Sequence, residues 1–430
     1  MNARTFRSAW ALLIAFGISG CTSFTFNSPA PSAPAVLSEF AARLPISHQQ
    51  VDNIIAAGEA AAARQTDHPG ALINVPYNEQ PAFAEDLLNR SGGLAGALPS
   101  DERPKLVTEH DVVLLSVRSW EKDGQRAAEL IDSYHQRGWQ VILFASAAGM
   151  PDNVSADFLI DNGAPTGGEG HGSVNIIANA VNGWLWVCEY TAALTRRGQV
   201  PGFLQSITMM GSHAHNRTYQ RGRTRHNLYP TDARIEAGEL SKVYLARVEQ
   251  LIHDLWDEQT FAEIAAAADI IAERLNTGRR VFVSTNSHLM MNDIAQDHRA
   301  AWQPLNGAHS LDKPIQENAI GPGDLIVWFA FNGMSVWGDH GEGKDQIYYD
   351  FGRHIRESKA DFILCAANDP HHPDNNGQGA LAAIEQPWAF GDAEVSVPFA
   401  PGKIAPVSGL AQALLYRMLD HAVAERTNRL

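Results

Sequence analysis

Thr166-Gly-Gly-Glu169-Gly-His171-Gly-Ser173 sets a carboxylate and an imidazole two residues apart on a stretch with four glycines. Glycine lets a backbone come close to a ligand. Moving a proton between adjacent carbons, as in aldose–ketose interconversion, needs one base near neutral pKa, and Glu169 or His171 is the candidate. A second reading stays open beside it. The stretch runs into an apolar helical pattern at Ile176, Ile177, Ala180 and Trp184, so Glu169 and Ser173 could instead serve the helix start as capping groups. Two histidine groups invite a metal reading. His213-Ala-His215 would set two imidazoles on one side of a strand, and His371-His372 lies between Asp369 and Asp374. Neither has further ligands at metal-site spacing, so no metal is expected, and no cofactor motif stands out. Pro, Asn and Gly around His371 and His372 explain them as a surface loop. His213 and His215 precede Arg217, Arg221, Arg223, Arg225 and His226, a basic island in an acidic chain. It could hold an anionic sugar, or it could be a solvated loop paired with acids.

Such groups need a scaffold, and the stretch 111–146 supplies its unit. Asp111-Val-Val-Leu-Leu-Ser116 is followed by Val117-Arg118-Ser119-Trp120, an amphipathic run from Asp123 to Arg137, and Gly138-Trp-Gln-Val-Ile-Leu-Phe-Ala-Ser146. Short continuous apolar runs fit strands buried on both faces of a parallel sheet. Ala127, Leu130, Ile131 and Tyr134 share one helical face, and Gly138 stands at a helix C-cap position. A right-handed βαβ crossover follows, with Ser116, Arg118 and Ser119 at the strand's carboxyl end, where open α/β sheets bind ligands. Arg118 could give an anion a bidentate contact, or be a plain loop charge. About two hundred residues on, the unit recurs: Asp324-Leu-Ile-Val-Trp-Phe329, the loop Phe331-Asn-Gly-Met-Ser335, a helix over 348–358, and Asp361-Phe-Ile-Leu-Cys-Ala366. Ala71–Val75 and Arg280–Ser284 read as the preceding strands. Phe158–Pro165 and Glu394–Pro401 read as the following ones, each before a long apolar helix, the last over Val407–Ala424. Segments 336–345 and 368–388 read as glycine-rich loops. The expected fold is two tandem three-layer α/β/α domains with parallel sheets, over 46–235 and 260–430. A helix over 236–259 joins them, and Thr260-Phe-Ala-Glu263 reads as a capping box opening the second.

The chain has 430 residues, 45% of them hydrophobic and 19% charged, enough for two domains of about 200 residues each. A net charge of −15 argues against non-specific nucleic-acid binding. Cys21, Cys188 and Cys365 form no disulfide framework, and the last two sit in apolar runs as buried thiols. Arg4 and Arg7 precede a short apolar run over Ala9–Ile18, the pattern of an export signal. Ile18-Ser19-Gly20-Cys21 resembles the lipobox of bacterial lipoproteins, which implies residues 1–21 as signal peptide with Cys21 acylated. That would tether the protein to a membrane in the cell envelope, outside the cytoplasm. Cleavage before Cys21 removes two arginines and no acid, so the charge becomes −17. A Ser/Pro-rich tether follows over 22–45.

The helix Phe83-Ala-Glu-Asp-Leu-Leu-Asn-Arg90 closed by Ser91-Gly-Gly93, the run Asp111–Ser116, Val141-Ile-Leu-Phe-Ala-Ser146 and Ile160-Asp-Asn-Gly163 together resemble the SIS (sugar isomerase) domain. Gly211-Ser-His-Ala-His215-Asn216 resembles the end of its single-domain members. The likeness covers 46–220, and more weakly 260–425 through the repeat. It implies a flavodoxin-like sheet in each half and binding of a phosphosugar or amino sugar. It also implies a Ser/Thr-rich loop for the anion: Ser116, Arg118, Ser119 and Ser173 in the first half, and Ser284, Thr285, Ser287, His288, Asn332 and Ser335 in the second. Where the family carries Ser-x-Ser-Gly, this chain has Ser116-Val-Arg-Ser119 and Phe331-Asn-Gly-Met-Ser335. The implied partners are a sugar or sugar phosphate, the membrane through the lipid anchor, and, as an open option, a second copy of the chain. Two functions stay open: an aldose–ketose isomerase, and a non-catalytic envelope lipoprotein that binds carbohydrate.

Overall fold

The computed structural model describes residues 33–77, 79–88, 90–95, 97–98, 107–165, 172–206, 214–217, 228–285, 287–290, 302–305, 312–332, 350–368, 377, 379–388, 393–399 and 402–427. The first half runs α1 (Ala33–Ala41), α2 (Leu44–Gln49), α3 (Val51–Asp67), β1 (Ile73–Asn74), α4 (Pro81–Leu88), β2 (Ala97–Leu98), β3 (Val112–Ser116), α5 (Trp120–Gln136), β4 (Gln140–Ala145), β5 (Phe158–Asp161) and α6 (Gly172–Arg196). A hairpin of β6 (Gln199–Pro201) and β7 (Leu228–Pro230) follows, then α7 (Glu239–Leu255). The second half runs α8 (Glu258–Asn276), β8 (Val281–Thr285), β9 (Gln303–Pro304), α9 (Asp312–Glu317), β10 (Leu325–Asn332), α10 (Asp350–Ser358), β11 (Asp361–Ala367) and β12 (Ala382–Glu385). It closes with an antiparallel pair, β13 (Ala393–Ser396) and β14 (Lys403–Pro406), and α11 (Ser408–Arg426).

The protein is α/β with two separate parallel sheets. Their orders are β2-β1-β3-β4-β5 and β9-β8-β10-β11-β12, the flavodoxin-type order 2-1-3-4-5 in both. The register pairs Leu114 with Ile142 and Val327 with Ile363, so each repeat contributes its central strand and the next one in the same way. The alternation of side chains along a strand explains why these runs are apolar throughout. In β3 and β4, Val112, Leu114, Ile142 and Phe144 face one core while Val113, Leu115, Val141 and Leu143 face another with Ala127, Ile131 and Tyr134 of α5. In the second sheet, Val281, Leu325, Val327, Phe329, Ile363 and Cys365 share the first core, and Phe282, Ile326, Trp328 and Leu364 belong to a third with Ile355 of α10. One hydrophobic core therefore joins the inner faces of both sheets, with α6 and α11 in its middle.

Several expectations need correcting. Part of the tether expected over 22–45 is helical, because Leu37, Phe40 and Leu44 at helical spacing are buried and α1 packs on α6 and α11. The fifth strand of the second sheet is Ala382–Glu385, inside the expected loop 368–388, and it pairs with β11. The stretch expected to be that strand, 394–401, instead contributes to the hairpin with Lys403–Pro406. Ile384 alone of the four β12 residues is buried, so this edge strand lacks the long apolar run that marks the others. The joining helix is α7, and it ends before a separate N-cap. Asp257 accepts from Gln259 N at 3.1 Å, so α8 starts two residues ahead of Thr260. Asp is a stronger cap than Thr.

The helix α7 docks on both halves. Glu189 of α6, fully buried, accepts from Gly238 N at 2.9 Å and Ser241 N at 3.3 Å, placing negative charge at the start of α7. Tyr244 Oη donates to Pro406 O at 3.0 Å, and Arg247 pairs with Glu394 at 3.2 Å. Among the described residues, no helix is long and apolar enough to cross a membrane.

Candidate functional site

In a 2-1-3-4-5 sheet the crevice for ligands opens between the first and third strands, at their carboxyl ends. In the first sheet that point is filled by the protein's own amides. Gln80, buried in the turn after β1, donates from Nε2 to Leu114 O at 2.7 Å and accepts from Ser116 N. From α6, Asn179 donates to Ser116 Oγ at 2.9 Å and Val117 O at 3.1 Å, and accepts from Asn162 at 2.8 Å. Asn175, one turn earlier, donates to Arg118 O at 2.8 Å and accepts from Arg43. Ser119 N donates to Asp123 at 3.3 Å at the start of α5. Burial lowers the pKa of Arg43 from its usual value, and the adjacent Glu39 carboxylate opposes that shift. The structure thus brings Ser116 and Arg118 against the first turns of α6, while Ser119 sits at the start of α5. Glu169 and His171 lie outside the described residues, and Ser173 is placed in α6 by its backbone alone.

The second crevice is built differently. Ser284 and Thr285 end β8 and, with Ser287, are buried. Ser287 N donates to Thr285 Oγ1 at 2.9 Å, and Ser287 Oγ accepts from Met290 N at 3.4 Å, which starts a helical turn over 288–290. His288 leaves that turn toward the first half, where its Nδ1 lies 3.3 Å from Glu85 Oε2 of α4. Both side chains are partly buried, at 24% and 17% exposure. Around the same sheet end, Gln412 of α11 donates from Nε2 to Ala330 O at 2.9 Å while its Oε1 has no hydrogen-bond partner among the described residues. Gln386, just past β12, buries both amide atoms without one. Leaving a buried polar atom unpaired costs about 1–3 kcal/mol; Asn74 Oδ1 at the end of β1 and Asn182 Oδ1 of α6 are likewise without a partner among the described residues in the first half. Asn332 ends β10, its side chain undescribed, and Ser335 falls outside the described residues, as do His213, His371, His372 and Cys21.

Sequence reasoning missed Glu85, Gln80, Asn175, Asn179 and Gln412. Glu85 sits in a helix read only for its family pattern, and its partner is 203 positions away. The asparagines carried a signal: Asn175, Asn179 and Asn182 recur at helical spacing on an otherwise apolar helix and are all buried. Polar residues on a buried face are there to satisfy something. Among the described residues, no group of three or more His, Cys, Asp or Glu could hold a metal.

No family model matches the chain, and no curated protein matches it. Solved structures with a similar outline include the C-terminal domain of glucosamine-fructose-6-phosphate aminotransferase from Francisella tularensis. It is 10% identical, with 91% of this chain and 95% of that one covered and a TM-score of 0.49. Another is tagatose-6-phosphate ketose/aldose isomerase from Escherichia coli, 12% identical over 93% of this chain and 94% of that one, with a TM-score of 0.45.

Proposed function

We propose that the chain is a carbohydrate-derivative-binding protein of the SIS type, taking a phosphosugar or amino sugar, with its working site in the second crevice. The observation that carries this reading is the Glu85–His288 contact beside Ser284, Thr285 and Ser287, at a topological switch point. Hydroxyls and backbone N–H groups in a tight turn suit an anion, and a carboxylate touching an imidazole is acid–base equipment. If the protein is an aldose–ketose isomerase, Glu85 is the base at this site and His288 its partner. Glu169 and His171 keep the same role, as a proposal, for the first crevice. The inward-tied loop 116–119 argues against a ligand in the first crevice and favours the non-catalytic, degenerate alternative for that half. The lipobox-like pattern of residues 1–21 supports the reading of export and tethering through Cys21, with the site then in the cell envelope.

The test is calorimetry with a panel of sugars, amino sugars and their phosphates, followed by variants on whichever ligand binds. Ser287→Ala and His288→Ala should each weaken it by about tenfold, one lost hydrogen bond to a charged group, while Arg118→Ala leaves it unchanged. Solvent-deuterium exchange at the sugar C2 then separates enzyme from binder: Glu85→Gln should abolish any exchange and keep binding. Affinity unchanged in both the Ser287 and His288 variants would sink the assignment to the second crevice.

A further inference from the structure

A cavity of about 270 Å³ lies away from both crevices, between the β6–β7 hairpin of the first half and the β13–β14 hairpin of the second. None of the described Ser/Thr candidates, and neither Glu85 nor His288, lines it. Its walls are mainly apolar. Phe203 and Phe399 lie near parallel with ring centroids 6.4 Å apart, and Ile404 closes one side. The polar side chains among the described lining residues are those of Gln205, Tyr229, Thr231, Lys403 and His215, whose Nε2 lies 2.9 Å from Phe203 O.

Three features define what would fit. Among the described lining residues, Lys403 is the one Lys or Arg, and none is Asp or Glu. Lys403 forms no ion pair with any described residue, in a chain of net charge −15 that pairs many of its arginines. A sugar would find no carboxylate among the described lining residues to accept its hydroxyl protons, whereas a flat apolar body matches the aromatic and aliphatic walls. Pockets for small ligands gather at such junctions, apolar with a few placed polar groups.

We propose that this junction cavity is a second ligand site, for a small monoanion with an aryl or similarly flat apolar body, whose carboxylate meets Lys403 while the ring lies against Phe203 and Phe399. Because its lining comes from both halves, occupancy would also tie the two hairpins together.

Phenylacetate is the probe, titrated by calorimetry into the full chain beside neutral phenylacetamide, small acetate and polar D-glucuronate. The expected order has phenylacetate tightest. Lys403→Ala should weaken phenylacetate about tenfold and leave phenylacetamide unchanged, as for one charge-assisted contact. Phe399→Ala should weaken both. Ser287→Ala, in the second crevice, should change neither, so this proposal and the sugar reading fail separately. Lys403 is exposed, so its variant should fold, and circular dichroism checks this. Three outcomes would overturn the proposal: no binding at millimolar phenylacetate, equal binding by Lys403→Ala, or glucuronate binding as tightly as phenylacetate.

Discussion

The buried ion pair of α4 offers the sharpest test of how the halves depend on each other. Asp86 and Arg90 sit one helical turn apart with side chains 0% and 2% exposed. Trp184 Nε1 of α6 donates to Asp86 Oδ2 at 2.7 Å, and Arg90 Nη2 donates to Ser408 Oγ at 2.6 Å, at the start of α11 in the other half. Arg90→Leu strands the Asp86 carboxylate in the interior. Breaking a buried pair from one side costs about 3–5 kcal/mol, and the surviving Trp184 bond argues for the lower end, about 3 kcal/mol. With an unfolding entropy of roughly 2 cal/mol/K per residue, a unit of this size should lose about 4 °C in Tm. Urea denaturation followed by circular dichroism and by tryptophan fluorescence measures the loss. The two signals should coincide, because one core spans both sheets. The double variant Asp86→Asn/Arg90→Leu removes the stranded charge and should recover part of the loss. A single-variant cost below about 0.5 kcal/mol, or a double variant no better than the single, would refute the account.

Gly409→Ala tests the same contact from α11. Helix propensity alone favours Ala by about 1 kcal/mol, but the added Cβ would stand 2.6 Å from Asp86 Oδ1 and against the Arg90 guanidinium. Overpacking costs about 1–3 kcal/mol, so urea titration should show a net loss; a gain would mean the helix yields easily. Burial pushes the thiols of Cys188 and Cys365 up from their usual range. Native protein should thus resist a thiol reagent at pH 8 and react only when unfolded. Thiols that stay protonated in the fold and ionise in the open chain also make stability fall as pH rises above about 8.5; a flat stability profile from pH 8 to about 10 would count against this. Mass spectrometry of the mature N-terminus should find an acylated Cys21, and an intact Met1–Gly20 with an unmodified thiol would remove the lipoprotein reading.

The fold was legible where strands are buried on both faces. Asp111–Ser116 and Asp324–Phe329 are continuous apolar runs because alternate residues serve two different cores, and such runs announce themselves. The edge strand Ala382–Glu385 did not, since one buried isoleucine gives no period to read. Pro31 and Pro34 hid α1, whose buried Leu37 and Phe40 are the only strong marks of a helix that finds its stability in tertiary packing. The loop 116–119 could be placed at a strand end from order alone. Its partners could not, because Gln80, Asn175 and Asn179 come from elements 36 to 63 positions away. Glu85 against His288 is beyond local pattern altogether, since it exists only through the packing of one half on the other.

That packing also explains why two copies of one topology present different chemistry. In both halves the long helix after the sheet lays an amide on the carboxyl end of the central strand: Asn179 on Ser116 and Val117, Gln412 on Ala330. The first amide is itself held by Asn162, while Asn175 on the same helix is held by Arg43, which α2 delivers into the interior. Each acceptor in that chain has a donor, so a ligand entering there would have to replace bonds the fold already makes, at about 1 kcal/mol apiece. At the second sheet the corresponding amide keeps an oxygen without a partner among the described residues and Gln386 keeps two atoms so, against one oxygen each for Asn74 and Asn182 in the first half, and the neighbouring half supplies a carboxylate facing an imidazole. A polar ligand there gains bonds without breaking comparable ones. Arg43, from the helices ahead of the first repeat, helps to tie one crevice inward, and that asymmetry is what the proposal of binding at the other crevice rests on.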